Sequence, residues 1–265
     1  RVLRHFGRPS RLPMHKPVLV PVKDIPSTNG HEPFEDLDDL AYRWAELPEN
    51  PAVLDAGCGF GATLFRWNQR KTGHYTGYTI SPYQLKIAHQ TARRLGVQEN
   101  CRFRLRSYED EITEEFDAII AIEALIHATD LEKVLENLYR ALKPGGRLII
   151  IDDMPLKKNG PRSSMLRILK NTWSLKKFWS IEEYLQHLVK LELRLLVKEN
   201  LTPLIKLSGS DKIDSRMKWL PRIKKYSLFP SIGLFIDTHL GGYALQRLYH
   251  EKKVGYFLLV SRKAD

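Results

Sequence analysis

The residues Asp55, Gly57, Gly59 and Gly61 occupy every second position in the run VLDAGCGFGATL, which covers positions 53–64. Glycine has no side chain, so this spacing lets a ligand or another segment approach the backbone closely. The pattern differs from the Gly-x-Gly-x-x-Gly fingerprint of dinucleotide sites, and a carboxylate at position 55 would repel a pyrophosphate but suit a cation. Three interpretations stay open here: a dinucleotide, a different nucleoside, and a tight turn without any ligand.

Two residues that could exchange protons lie in the run AIEALIHA at 121–128, directly after an apolar stretch. Either Glu123 or His127 could act as a general base. A structural role for His127, as a satisfied histidine at a helix start, is the alternative.

Four further polar or aromatic residues lie at the ends of predicted strands or shortly after them, and are candidates for ligand contacts: Thr79, Gln84, Tyr108 and Glu109. The alternative is that Thr79 is an ordinary strand residue, that Gln84 is an exposed helix residue, and that Tyr108 and Glu109 form a surface loop.

These candidates require a scaffold of alternating strands and helices. Helical periodicity covers 34–47 and 81–95, the latter with Ser81 as N-cap and Pro82 in the first turn. Further helices are predicted from GATLFRWNQRK and LEKVLENLYRAL, and strands from PAVLDAG, YTGYTI, CRFRLR, FDAIIAIEA, RLIIID, ELRLLVKEN and VGYFLLVSRK. This alternation predicts an α/β fold with a largely parallel sheet, whose strand ends would gather the candidate residues at one edge.

Composition divides the chain into four predicted parts. Positions 1–34 are expected to form an N-terminal arm, 35–155 a nucleoside-binding core, 156–253 a cap with a helix–strand unit, and 254–265 the last strand. The cap is basic and is expected to be mainly helical.

The run from Asp55 to Gly61 resembles the first motif of the class I S-adenosylmethionine-dependent methyltransferases. Thr79-Ile80-Ser81-x-x-Gln84 narrows the resemblance to the branch of sterol side-chain and tocopherol methyltransferases and cyclopropane fatty acid synthases. Ala-Ile-Glu-Ala-x-x-His-Ala at 121–128 most resembles the sterol enzymes. Cyclopropane synthases usually carry Glu-His at 126–127, whereas this chain has Ile126 before His127, which puts their mechanism in doubt.

The resemblance implies a Rossmann-like, seven-stranded, mostly parallel sheet with helices on both faces and S-adenosylmethionine as cofactor. It implies that Asp55 and the glycines contact the amino-acid end of the cofactor. Thr79 and Gln84 would bind its ribose, and Tyr108 and Glu109 its adenine. No metal site is expected.

The resemblance further implies a C-methyltransferase that acts on an isoprenoid or other lipid-like alkene, with a diphosphate as one option, through a carbocation and loss of a proton. Glu123 and His127 are the candidate bases. Aromatic side chains would surround such a cation, and the predicted substrate residues are Tyr78, Tyr83, Trp173, Trp179, His239 and Tyr243. Each aromatic residue could instead be ordinary core.

Two other functions stay open. One is an O- or N-methyltransferase of a polar small molecule, phenol or quinone, with His127 as base. The other is a non-catalytic partner or nucleic-acid-binding protein, although no nucleic-acid motif is present and no such partner is expected. The run His239-Leu240-Gly241-Gly242-Tyr243 is interpreted as the opening of a helix, where free amides could bind an anion, or as a plain turn.

Charge is unevenly distributed, with a net charge of +6 over 1–23, −8 over 24–155 and +13 over 156–265. The basic last part could face phosphates or an anionic membrane, or form a solvated helix face. Cys58 and Cys101 are too few for a disulfide framework. With no secretory apolar region at the start and no membrane-spanning run, a cytoplasmic location is expected. Peripheral membrane contact and a homo-oligomer are left open.

Overall fold

The computed structural model describes residues 37–158, 163–225 and 230–265. The predicted arm at 1–34 lies outside these residues. The strands are β1 (Ala52–Ala56), β2 (His74–Thr79), β3 (Cys101–Leu105), β4 (Phe116–Ile122), β5 (Leu142–Pro155), β6 (Arg194–Asn200) and β7 (Val254–Arg262). The helices are α1 (Leu37–Ala45), α2 (Ala62–Arg70), α3 (Pro82–Leu95), α4 (Leu131–Arg140), α5 (Ser164–Thr172), α6 (Ile181–Lys190), α7 (Ser210–Lys225) and α8 (Pro230–His250).

The seven strands form one sheet in the order β3-β2-β1-β4-β5-β7-β6. The first five strands are parallel, and β7 runs antiparallel to both of its neighbours. The prediction of a Rossmann-like, mostly parallel sheet is confirmed. Strand order reverses between β1 and β4, which is the point where open α/β sheets bind ligands.

Successive apolar side chains of the central strands point to opposite faces of the sheet, and both faces are buried. In β1 and β4, Val53 and Ile120 point into one core, while Leu54 and Ile119 point into the other. The first core also contains residues of α1, α2, α3, α5 and α8, whereas α4 and α6 contribute to the second. Such two-sided burial explains the near-continuous apolar runs of the central strands.

Local signals set most element ends where the sequence predicts them. The side chain of Ser81 accepts from the Gln84 amide and Pro82 is in the first turn of α3, as expected. The segment at 143–146, between the predicted helix LEKVLENLYRAL and the predicted strand RLIIID, belongs to β5, because this strand already begins at Leu142.

The interpretation of the Gly241-Gly242 pair as the opening of a helix is wrong. Both glycines lie inside the single 21-residue helix α8. Their amides are therefore interior to a helix, and the predicted anion site at its N-terminus does not exist. None of the described helices combines the length and the apolar composition that crossing a bilayer requires.

Candidate active site

The loop after β1 meets the loop after β4 at the reversal point of the sheet. Gly57 has a φ of +113°, and a Cβ atom there would lie 2.5 Å from the Cβ of Ala124. Any side chain at 57 would therefore push these loops apart. A different contact excludes a side chain at Gly61, because a Cβ atom there would lie 2.4 Å from the ring of Phe103. Gly61 thus faces the packing around Phe103.

Three adjoining cavities share Glu123. One, of about 380 Å³, is lined by Asp55, Gly57, Gly59 and Gln84 together with neighbours from the same loop. A second, of about 420 Å³, reaches Thr79, Tyr108 and Glu109. We call these two the cofactor cleft. The sequence-predicted cofactor residues, apart from Gly61, line this cleft. Phe60, Arg106 and Ser107 line it too, and the sequence did not single them out for this role.

The cofactor-cleft residues are held by hydrogen bonds to one another and to the loop after β4. Thr79 Oγ1 donates to Gln84 Oε1 at 2.6 Å. Tyr108 donates to the carbonyl of Ala124 at 2.9 Å, and Glu109 Oε1 accepts from the Thr129 amide at 2.6 Å. Burial raises the pKa of Tyr108, so the phenol keeps its proton and its role as donor. The loop that carries Glu123 is therefore fixed to the cleft.

A third cavity, of about 700 Å³, is also lined by Glu123 and His127. We call it the acceptor cavity. Its walls carry six apolar side chains besides Tyr249, namely Ile126, Trp173, Ile205, Leu207, Leu234 and Leu245. Asp153, Thr172, Ser174, Lys206, Thr238 and Gln246 add polar groups. A mostly apolar pocket with a few placed polar groups is typical of small-molecule sites.

Glu123 stands at the junction of all three cavities. Its backbone has a φ of 51°, a left-handed conformation that is unfavourable for a residue with a side chain. The amide still donates to Ile151 O at 2.8 Å, which continues the pairing with β5. Glu123 Oε1 accepts from the hydroxyl of Tyr256 at 3.1 Å.

Buried tyrosines from the C-terminal part hold the carboxylates in this region. Tyr256 on β7 is fully buried, and Tyr249 on α8 donates to Asp153. Desolvation raises the pKa of both phenols, and the charge of Glu123 (for Tyr256) or Asp153 (for Tyr249) adds to the effect. They therefore remain proton donors to the carboxylates. No signal in the sequence marks Tyr256 beyond its place in a predicted strand.

His127 ends a 3-10 turn, Leu125–His127, and lines both the acceptor cavity and the cofactor cleft. Its ring faces open cavity space, while surrounding protein atoms lower its pKa below the ordinary value by desolvation. The neutral ring is therefore favoured, as a general base requires. Asp152 Oδ2 accepts from the Ile126 amide at 2.7 Å and so braces this turn.

Of the six predicted substrate residues, Trp173 alone lines the acceptor cavity. Its indole Nε1 donates to Thr238 O at 3.2 Å. Trp179 is buried and donates to Ala128 O at 3.0 Å, so it supports the loop after β4. Tyr78 is buried with its hydroxyl 3.2 Å from Glu114, and lines the cofactor cleft instead.

The other three predicted substrate residues lie outside the walls of the acceptor cavity. Tyr83 is exposed and stands edge-on to Phe60, with ring centroids 6.2 Å apart. His239 Nδ1 lies 2.8 Å from Phe235 O, one turn back along α8. Tyr243 is on the same helix, and neither residue is part of the cavity lining.

Comparison with known proteins identifies the family of this chain. The sequence signature of the family described as "Methyltransferase domain" matches residues 48–205. Erythromycin 3''-O-methyltransferase of Saccharopolyspora erythraea is 34% identical over 135 residues, which are 49% of this chain and 44% of that protein. Sterol 24-C-methyltransferase of Debaryomyces hansenii is 34% identical over 122 residues, 45% of this chain and 31% of that protein. The chain thus spans less than half the length of these relatives.

Solved structures show the same fold at low sequence identity. A geranyl diphosphate methyltransferase in complex with SAM has a TM-score of 0.71 at 20% identity, with 95% of this chain and 98% of that chain covered. The [4+2]-cyclase SpnF has a TM-score of 0.66 at 20% identity, with coverage of 95% and 88%. The fold alone therefore does not specify a reaction. Because the family signature covers more than half of the sequence, the chain belongs to the S-adenosylmethionine-dependent methyltransferases, and S-adenosylmethionine is its cofactor.

Proposed function

We propose that this chain methylates a carbon atom of an apolar, alkene-bearing small molecule of the isoprenoid class. The observation that carries the proposal is the mainly apolar acceptor cavity, which meets the cofactor cleft at Glu123 and His127. An acceptor of this class needs a dry pocket, and the cavity volume of about 700 Å³ is within the range of drug-sized ligand sites.

The residues of the cofactor cleft are suited to S-adenosylmethionine. The carboxylate of Asp55 would attract the ammonium of the amino-acid end, and the missing side chain at Gly57 lets the loop after β1 lie against Ala124. Thr79 and Gln84 would bind the ribose, with Tyr108 and Glu109 along the adenine. When bound, the cofactor supplies an electrophilic methyl group on a sulfonium.

The protein must then position the acceptor, exclude water and remove a proton. Addition of a methyl group to an alkene leaves a carbocation on the acceptor. The indole of Trp173 and the ring of Tyr249 line the cavity and would stabilise that cation. Glu123, kept in place by Tyr256, would take the proton from the neighbouring carbon, and the electron pair of that C–H bond would restore the double bond.

A second candidate function is O- or N-methylation with His127 as the base. The lowered pKa of His127 and its place in the acceptor-cavity wall favour it. In that reaction His127 would take the proton of a hydroxyl or amine, and Glu123 would serve only to position the substrate.

The two functions are separated by an acceptor screen with two matched variants. Labelled S-adenosylmethionine is offered with isoprenyl diphosphates, free terpenes, phenols and amines. For carbon methylation, Glu123→Gln should lower kcat by about 10²-fold or more, and His127→Gln by much less. The reverse order would favour O- or N-methylation. Absence of calorimetric affinity of the folded protein for S-adenosylhomocysteine would overturn both.

A further inference from the structure

The α7–α8 hairpin exposes an unusual share of large apolar side chains. In the described ranges, ten such residues are exposed, and five of them lie in the short span between 219 and 235. They are Trp219 and Ile223 on α7, and Ile232, Leu234 and Phe235 on α8. Concentration of exposed apolar surface in one element marks an interaction site more often than scattered residues do.

The exposure is not a sign that the two helices fail to pack. Ile213 on α7 and Ile236 on α8 are buried, at 0% and 3% exposure. Lys224 forms an ion pair with Asp237 at 2.6 Å, and Arg247 pairs with Asp214. Each helix of the hairpin therefore buries part of its apolar surface, while the five side chains named above stay accessible.

The charge on α7 indicates which partner this surface suits. The helix carries six basic residues and two acidic ones, Asp211 and Asp214. The basic residues are Lys212, Arg216, Lys218, Arg222, Lys224 and Lys225. Trp219 lies among them, with the guanidinium of Arg222 5.3 Å from its ring centroid. Basic residues beside exposed Trp, Phe and Leu are the combination that binds an anionic lipid interface.

We propose that the α7–α8 hairpin docks this protein on an anionic membrane surface. Trp219, Ile223, Ile232, Leu234 and Phe235 would enter the headgroup region, and Lys218 and Arg222 of α7 would contact lipid phosphates. Leu234 also lines the acceptor cavity, so a lipid-like acceptor could pass from the bilayer into the cavity. Only this passage rests on the proposed function; the docking itself does not.

Co-sedimentation of the purified chain with large unilamellar vesicles tests the docking without any activity measurement. Phosphatidylcholine vesicles are compared with vesicles that also contain phosphatidylserine. Binding should rise with phosphatidylserine content and fall with added salt. The charge-reversal variants Lys218→Glu and Arg222→Glu each remove one positive charge. Each should weaken binding by about fivefold or more. Brominated lipids should quench wild-type fluorescence more than that of Trp219→Phe.

A paired apolar variant, Trp219→Ser with Phe235→Ser, should weaken binding by about tenfold or more. Its control is Val189→Ser on α6, where the apolar side chain is even more exposed than Trp219 and Phe235; this variant should bind like the wild type. Circular dichroism melts establish that all variants fold. Equal binding to both vesicle types, or an apolar variant that binds like its control, would overturn the proposal. So would a concentration-dependent dimer that the same apolar variant abolishes, since that assigns the surface to a second copy.

Discussion

At the scale of single residues, the site depends on a strained carboxylate held by a tyrosine from the far end of the chain. Glu123 has a positive φ and accepts from Tyr256, which is 133 residues away. The sequence could predict Glu123 and His127, because both follow a strand whose apolar pattern is plain. It could not predict Tyr256, because nothing within the C-terminal strand specifies which carboxylate its hydroxyl reaches.

Replacing Tyr256 with phenylalanine should separate stability from catalysis. Loss of the hydroxyl should cost about 1 kcal/mol of unfolding free energy. It should also lower kcat with little change in KM, because the carboxylate of Glu123 loses the donor that fixes it and favours its charged form. The limb of the pH–rate profile that reports the base should then move to higher pH. Denaturant unfolding and steady-state kinetics measure these effects.

The matched control for that variant is Tyr75→Phe. Tyr75 is also buried, and its hydroxyl donates to Lys71 O at 2.6 Å, at the opposite end of β2 from the site. It should lose a similar amount of stability while kcat and the pH profile stay unchanged. If both variants lowered kcat equally, Tyr256 would have only a structural role.

Protonation of His127 should be visible in the pH dependence of stability. Desolvation lowers the pKa of His127 in the folded state. As the pH falls below about 6.5, the unfolded chain therefore takes up a proton on this histidine more readily than the folded chain does. Stability is therefore retained above about pH 6.5 and is lost as the pH falls through the lower, folded-state pKa. Thermal melts between about pH 8 and 5 should show a smaller acid loss for His127→Gln than for the wild type. His74→Gln, at an exposed position, should leave the wild-type loss in place.

At the scale of elements, the placement of β7 and α8 decides the site. The alternation of the sequence predicted the last strand. It did not predict that this strand pairs antiparallel with β5, or that Tyr256 lies opposite Asp153 in that pairing. The glycine pair at 241–242 misled the prediction for α8, because glycine usually interrupts helices. Here Gly241 is required by packing, since a Cβ there would lie 2.2 Å from Nε1 of Trp173. Such a tertiary contact leaves no local trace in the sequence.

The adjacent glycines 241 and 242 of α8 should respond to alanine in opposite directions. Gly241→Ala should destabilise the fold by about 1–3 kcal/mol, because Trp173 is held by its hydrogen bond to Thr238 and cannot easily move. A Cβ atom at Gly242 would have no heavy atom of another element within 4 Å, so Gly242→Ala should stabilise by about 0.5–1 kcal/mol through helix propensity. Urea unfolding measures both, and equal effects would contradict the packing of α5 on α8.

At the scale of the whole molecule, two regions of the chain meet at one carboxylate. The loops after β1 and β4 line the cofactor cleft, and its residues could be predicted from the sequence because their motif is local. The acceptor cavity is built from α5, the segment after β6, and α8. Its residues are far apart in sequence and mostly apolar. The sequence therefore predicted a basic, helical cap in this region, but not which residues line the cavity. The division into core and cap stays a prediction.

This arrangement implies that acceptor binding can be blocked without loss of the cofactor. Thr238 lines the acceptor cavity and its side chain is exposed, so Thr238→Trp should fill cavity space without overpacking the core. The KM for an acceptor found in the screen should rise by about tenfold or more, since lost burial of a few apolar groups is worth that much. Thr238→Val, close in size to threonine, should leave KM near the wild-type value. Calorimetry should give the same affinity for S-adenosylhomocysteine in all three proteins, because Thr238 does not line the cofactor cleft. A parallel loss of cofactor affinity in Thr238→Trp would contradict the assignment of separate cavities to the acceptor and the cofactor.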